Sequence, residues 1–126
     1  MTQLNEAARL KILSDLVAIP SVNGSEQLVA EYLENLLAQY GIESEVVQFS
    51  EKRANLVAEI GSGRPVLGIS GHLDVVSPGD AKAWLSGDPF TLTEKDGRLY
   101  GRGSEDMKSG LAAMAIASLK LRLLKP

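Results

Sequence analysis

Three side chains in this sequence have the types and spacing to hold a metal ion: His72, Asp74 and Asp106. His72 is the only histidine, and it follows an apolar run, Val66-Leu67-Gly68-Ile69, that stops abruptly at Ser70-Gly71-His72-Leu73-Asp74. Pro65 before the run and Ser77-Pro78-Gly79 after it are turn chemistry, so residues 66–76 read as a strand buried on both faces, with the polar pair at its C-terminal end. In open α/β sheets ligand sites collect at that edge. Side chains two apart on a strand share a face, which puts the Cα atoms of His72 and Asp74 roughly 6 to 7 Å apart. That spacing suits a metal-binding imidazole and a carboxylate that orients it through the second ring nitrogen. Each residue also has a plainer reading, since a lone histidine is often a satisfied structural residue and an aspartate after a strand often caps a turn.

Asp106 opens the last helical segment, behind Gly101-Arg102-Gly103-Ser104-Glu105. A carboxylate there stabilises the helix dipole and caps free N–H groups without any further chemistry. Gly101-x-Gly103 before a helix invites a dinucleotide-binding reading, but that fingerprint needs glycine where Asp106 stands, and a carboxylate would repel a pyrophosphate. A phosphate-binding P-loop fails too, because Met107 and not glycine precedes Lys108-Ser109. A carboxylate at a helix start facing a histidine at a strand end is instead half of a hard or borderline metal site. Arg102, Glu105 and Lys108 read as solvated or locally paired charges with no role. Trp84 and Phe90 read as packing residues that anchor a loop, and Asp80 and Asp88 as loop and turn aspartates.

Composition narrows the chemistry. There is no cysteine, which excludes disulfides, thiolate zinc sites and cysteine nucleophiles, so a bound metal must use nitrogen and oxygen. The net charge of -3 with Lys and Arg scattered along the chain leaves no footprint for nucleic acid or an anionic membrane. Met1-Thr2-Gln3-Leu4-Asn5-Glu6 has neither a basic nor an apolar targeting region, and no apolar run approaches a membrane span, so a cytoplasmic protein is expected. With 126 residues and 44% hydrophobic content, one domain with a core is expected.

The elements that must position these residues follow from periodicity. Ala8, Ile12, Leu13, Leu16 and Val17 form one helical stripe over 4–19, ended by Pro20. Asn23 followed by Glu26 resembles a capping box for a second helix whose stripe is Val29, Tyr32, Leu33, Leu36, Leu37 and Tyr40, closed by Gly41. Residues 43–49 and 55–60 read as strands, and Gly61-Ser62-Gly63 turns the chain into the central strand. A loop through Trp84 leads to a hairpin in which 90–93 and 98–100 flank Glu94-Lys95-Asp96-Gly97. Residues 107–124 form an alanine-rich helix with Leu111, Met114, Ala115, Ser118 and Arg122 on one face, its small residues allowing close approach to a sheet. The order predicts an α/β fold with a mixed sheet flanked by helices. The sheet is expected to be incomplete, because no parallel strand follows the last helix before Lys125-Pro126, and the exposed edge is then a surface for self-association.

The segments Ser70-Gly71-His72-Leu73-Asp74-Val75-Val76, Pro78-Gly79-Asp80, Trp84, Asp88-Pro89-Phe90 and residues 96–110, from Asp96-Gly97 through Gly101-Arg102-Gly103-Ser104-Glu105-Asp106-Met107-Lys108-Ser109-Gly110, resemble the dinuclear-zinc amidohydrolases and peptidases. That family includes acetylornithine deacetylase, succinyl-diaminopimelate desuccinylase, aminoacylase and glutamate carboxypeptidase. The resemblance covers almost the whole chain, including Ile19-Pro20-Ser21 at the end of the first helix. It implies that His72 binds one zinc, that Asp106 bridges two, with cobalt as the alternative metal, that Asp74 acts in catalysis by orienting His72, and that a cis peptide follows Asp106. It further implies that two metals about 3.5 to 4 Å apart share a hydroxide that attacks an amide carbonyl, with a glutamate moving the proton to the leaving amine.

Family members carry that base, in a Glu-Glu pair, and the remaining ligands later in the chain, whereas no Asp, Glu or His follows Asp106 within these 126 residues; the family's separate dimerisation domain is likewise expected to lie outside them. Residues 1–126 are therefore expected to be the N-terminal portion of the catalytic domain, inactive alone, from a zinc-dependent hydrolase of an N-acyl amino acid or small peptide. The competing expectation is a truncated, non-enzymatic product serving as an interaction or metal-binding module.

Overall fold

The computed structural model describes residues 4–124, and the features read at Met1–Gln3 and Lys125-Pro126 lie outside the described residues. Asn5 Oδ1 accepts the Ala8 N–H at 2.9 Å and so caps the start of α1 (Glu6–Ala18), which ends before Pro20. Helix α2 (Gln27–Ala38) buries Val29, Ala30, Leu33 and Leu37. Its expected capping box is not formed. The Asn23 N–H donates to the Val75 carbonyl, and the buried Glu26 carboxylate makes no cap bond but pairs with Arg53, Nε to Oε1 at 2.9 Å. A buried carboxylate must be paired, and that requirement overrides a local cap. The end of α2 is closed as expected: the Ile42 N–H reaches the Leu37 carbonyl at 3.0 Å, with Gly41 at φ 73°.

Strands β1 (Ser44–Ser50) and β2 (Arg53–Ala58) form an antiparallel hairpin with Val46 opposite Leu56. Helix α2 lies against both strands, and the Lys52 carbonyl at the hairpin tip accepts the Gln27 N–H at 3.0 Å. A second hairpin pairs β3 (Thr93–Lys95) with β4 (Arg98–Tyr100). Its loop is shorter than the sequence predicts. Asp96 and Gly97 both take positive φ, 52° and 75°, and a turn of that kind needs only two residues, so Glu94 and Lys95 stay in or next to the ladder. Helix α3 (Ser109–Leu124) buries Leu111, Ala112, Ala115 and Leu119 and packs on α1 and α2. Of its small residues, Ala112 and Ala115 are buried, whereas Ala113 and Ala117 are exposed. The core is continuous through Ile12, Leu16, Val29, Leu33, Leu37, Tyr40, Ile42, Leu111 and Leu119.

The largest departure from expectation is the segment before His72. Residues 66–71 pair with nothing among the described residues, where the ladders are β1 with β2, β3 with β4 and a single parallel bridge between Val22 and Val75. Instead of being buried on both faces, Val66, Leu67 and Ile69 are 72%, 89% and 58% exposed. An apolar run is buried as a strand only when neighbours flank it. The fold is therefore α/β with an incomplete sheet, as expected, and the unpaired run is where the sheet is open. Among the described residues no helix is long and apolar enough to cross a membrane.

Leu119→Ala should cost about 2 to 5 kcal/mol in urea denaturation, because it empties a fully buried position. Leu67→Ser should change stability by no more than about 0.5 kcal/mol in the same measurement.

Candidate metal centre

The structure brings His72, Asp74 and Asp106 together in an open cleft of about 480 Å³. His72 Nε2 lies 2.7 Å from Asp106 Oδ1. The other ring nitrogen, Nδ1, lies 3.0 Å from the Asp74 backbone carbonyl and 3.3 Å from Asp74 Oδ1. With acceptors on both sides, the imidazole is held above its ordinary pKa, chiefly by the hydrogen bond to Asp106 and further by the Asp74 carbonyl and the two carboxylate charges, against a smaller opposing effect of burial.

Each donor is positioned by a different segment. The Leu73–Val75 stretch is gripped by the residues that leave α1: Ser21 Oγ donates to the Leu73 carbonyl (2.9 Å), and the Val75 N–H donates to the Ser21 carbonyl (2.9 Å). The Asn23 carboxamide lies 3.2 Å from both Asp74 Oδ2 and the Val75 carbonyl, surroundings that only its nitrogen satisfies. On the other side of His72, Gly71 is a close approach. A Cβ there would stand 2.7 Å from Met107 Cε, and the Met107 sulfur receives the His72 N–H at 3.4 Å.

Asp106 does not sit in helical geometry. Asp106 (φ -121°, ψ 93°) and Met107 (φ -134°, ψ 37°) break the turn Ser104–Lys108, so α3 starts at Ser109 rather than at Met107. The peptide bond between them is cis, as the family resemblance implied. The break aims the Asp106 carboxylate at His72 instead of capping α3.

Lys108, to which the sequence reading gave no role, is the main correction. It is 1% exposed, and its Nζ donates to the carbonyls of Leu16 and Ile19, both at 2.6 Å. These carbonyls form the C-terminal end of α1, where a cation is favoured by the helix dipole. The available signal was phase, because Lys108 falls in step with the buried Ala112, Ala115 and Leu119. Burial pushes its ammonium down to about 8.

The cleft is also lined by Trp84, Tyr100 and Arg102. Trp84 anchors its loop through Nε1 to the Pro78 carbonyl at 3.0 Å, and the Arg102 guanidinium stacks over its ring at 5.1 Å. Asp80 and Asp88 serve turns, as read: Asp80 Oδ1 accepts the Lys82 N–H, and Asp88 accepts from Phe90 N and Thr91 Oγ1, which hold its carboxyl below the usual range.

The Lys108 pKa of about 8 in the fold lies below the 10.5 of a free lysine, so between those values the unfolded chain binds a proton that the native chain has lost. Native stability should therefore rise with pH across that window. Measured against Lys108→Met by urea denaturation, the rise should be on the order of 1 to 3 kcal/mol between about pH 7.5 and 10.

Residues 68–125 match the peptidase family M20/M25/M40. Over 122 residues the chain is 54% identical to a probable succinyl-diaminopimelate desuccinylase of Staphylococcus epidermidis, covering 97% of this chain and 30% of that protein. It is 39% identical over 116 residues to the succinyl-diaminopimelate desuccinylase of Rickettsia canadensis, covering 89% of this chain and 30% of that one. The crystal structure of human carnosine dipeptidase 1 superposes with a TM-score of 0.77 at 28% identity, over 97% of this chain and 30% of that chain. The chain thus spans 30% of the length of these relatives. The matched region carries Gly71, His72, Asp74 and the broken turn at Asp106, and the likeness in sequence and in backbone to the desuccinylases and the dipeptidase extends over almost all of the chain.

Proposed function

We propose that these residues supply one part of the active site of a cytoplasmic, metal-dependent amide hydrolase acting on an N-acyl amino acid or small peptide. The observation that carries this reading is the convergence of His72 Nε2 and Asp106 Oδ1, from segments 34 residues apart, on one point of the cleft wall. The desuccinylase names of the bacterial relatives favour a deacylase over a carboxypeptidase.

One imidazole nitrogen and one carboxylate oxygen are the donors that zinc or cobalt accepts, so the residues fit the group as far as they go. They do not complete it. Among the described residues no group of three His, Cys, Asp or Glu side chains is placed to hold a metal ion, and catalytic zinc sites take three protein ligands. His72 would donate Nε2 to one ion and Asp106 would bridge two; such ions supply a Lewis acid for the amide carbonyl and a nucleophile from water near neutral pH. The chain's own part is preparation. Asp74 holds His72 Nδ1 through its carbonyl and Oδ1, which turns Nε2 toward Asp106 and the cleft. The Nε2 proton now shared with Asp106 must leave before a cation binds, so metal affinity should fall as pH drops through the raised His72 value. The same reading assigns the unpaired, apolar segment 66–70 to pairing with a further strand, in a second copy when the chain is alone.

Isothermal titration of the 126-residue chain with zinc should show a single weak site, absent in His72→Ala and in Asp106→Ala, and the same preparation should hydrolyse no N-acyl amino acid. Zinc binding that survives both substitutions would contradict the assignment. Amide hydrolysis abolished by His72→Ala would contradict the inactivity of these residues alone.

A further inference from the structure

We infer that Lys108 is a positioning residue, whose buried ammonium sets the placement of Asp106 against His72 by fastening the broken turn to the end of α1. The inference rests on His72 and Asp106 being metal donors and adds what holds them at their spacing.

The Asp106 side chain is 85% exposed and is hydrogen-bonded to His72, and the backbone at Asp106 and Met107 is not helical, so no helical ladder fixes it. The nearest firm anchor is Lys108. Its N–H closes the turn onto the Gly103 carbonyl at 2.8 Å, and its Nζ reaches the Leu16 and Ile19 carbonyls. From Ile19 the chain passes through Pro20 directly into Ser21, Val22 and Asn23, which grip Leu73–Val75 and hence His72. Both donors are therefore tethered to the same short stretch, Leu16 to Asn23.

Volume alone does not call for a lysine at this place. Methionine fills the same space without the cost of burying an ammonium that, among the described residues, bonds to backbone carbonyls rather than to a carboxylate. What the ammonium adds is direction, because two short charge-assisted hydrogen bonds fix where the turn sits on α1. Outer groups that orient metal donors typically change affinity by roughly 10- to 100-fold.

The test uses the 126-residue chain and its single histidine, whose imidazole ¹⁵N and ¹H signals need no assignment among competitors. Lys108→Met should keep the far-UV circular dichroism of the wild type, shift the His72 imidazole signals at fixed pH, and weaken cobalt binding, followed by its visible absorption, by roughly 10-fold or more. Leu119→Ala, destabilising but remote from the cleft, should leave the His72 signals where they were, which separates positioning from mere stability. If Lys108→Met does not fold, Lys108→Arg keeps the charge but changes its reach, and it should shift the same signals. Unmoved His72 signals in the folded variant, with cobalt affinity within about twofold of wild type, would overturn the inference. Cobalt binding absent from the wild type would instead refute the metal reading, while the imidazole signals would still decide the role of Lys108.

Discussion

A single ammonium group fastened to the carboxyl end of α1 is the constraint on which the site depends. The carbonyls at the end of a helix lack their full set of partners, and at α1 those of Leu16 and Ile19 accept from Lys108 Nζ at 2.6 Å, the Leu16 carbonyl also taking the Ile19 N–H at 3.2 Å. Beyond those carbonyls the chain turns at Pro20, and its next residues hold Leu73–Val75 through backbone bonds and Ser21 Oγ. One helix end thereby sets two active loops at once. Because α1 is itself fixed by Ile12, Leu16 and Val17 in the core, the placement of the donors is inherited from hydrophobic packing, although both lie in solvent.

The contact between Gly71 and Met107 works in the same direction. The two loops approach so closely that there is no room for a Cβ at Gly71, and the methionine sulfur and methyl fill the gap between Gly71, Gly110 and the His72 N–H. A flexible thioether suits such an irregular space. The polar faces of the two loops are then left to meet in the cleft, His72 with Asp106 and Asp74, while their apolar sides are locked together. Steric closeness at one glycine and hydrogen bonding at one lysine are thus complementary restraints on His72 and Asp106.

Much of this was legible in the residues themselves. The helical stripes of α1 and α2 and the Asp96-Gly97 turn are local patterns, and local patterns decide local structure. The set His72, Asp74 and Asp106 was legible because chemistry needs particular side-chain types, and the chain holds only one histidine. Lys108 was not, since its partners are backbone carbonyls 92 and 89 residues earlier, which leave no mark in the identity of any side chain. Residues 66–71 failed for the opposite reason. Their apolar run is a strand pattern, but burial belongs to a strand together with its neighbours, and none of the described segments supplies one. Asn23 shows a third kind of miss, in which a local signal for capping yields to a distant demand, here the Val75 backbone and the Asp74 carboxylate.

The measurement that bears most directly on this arrangement is X-ray absorption at the zinc edge of the zinc-loaded 126-residue chain. A first shell containing one imidazole nitrogen together with oxygen is predicted, with the imidazole scattering lost in His72→Ala. A shell of oxygen alone in the wild type, unchanged by that substitution, would contradict the claim that the fold by itself presents His72 and Asp106 as a pair of metal donors.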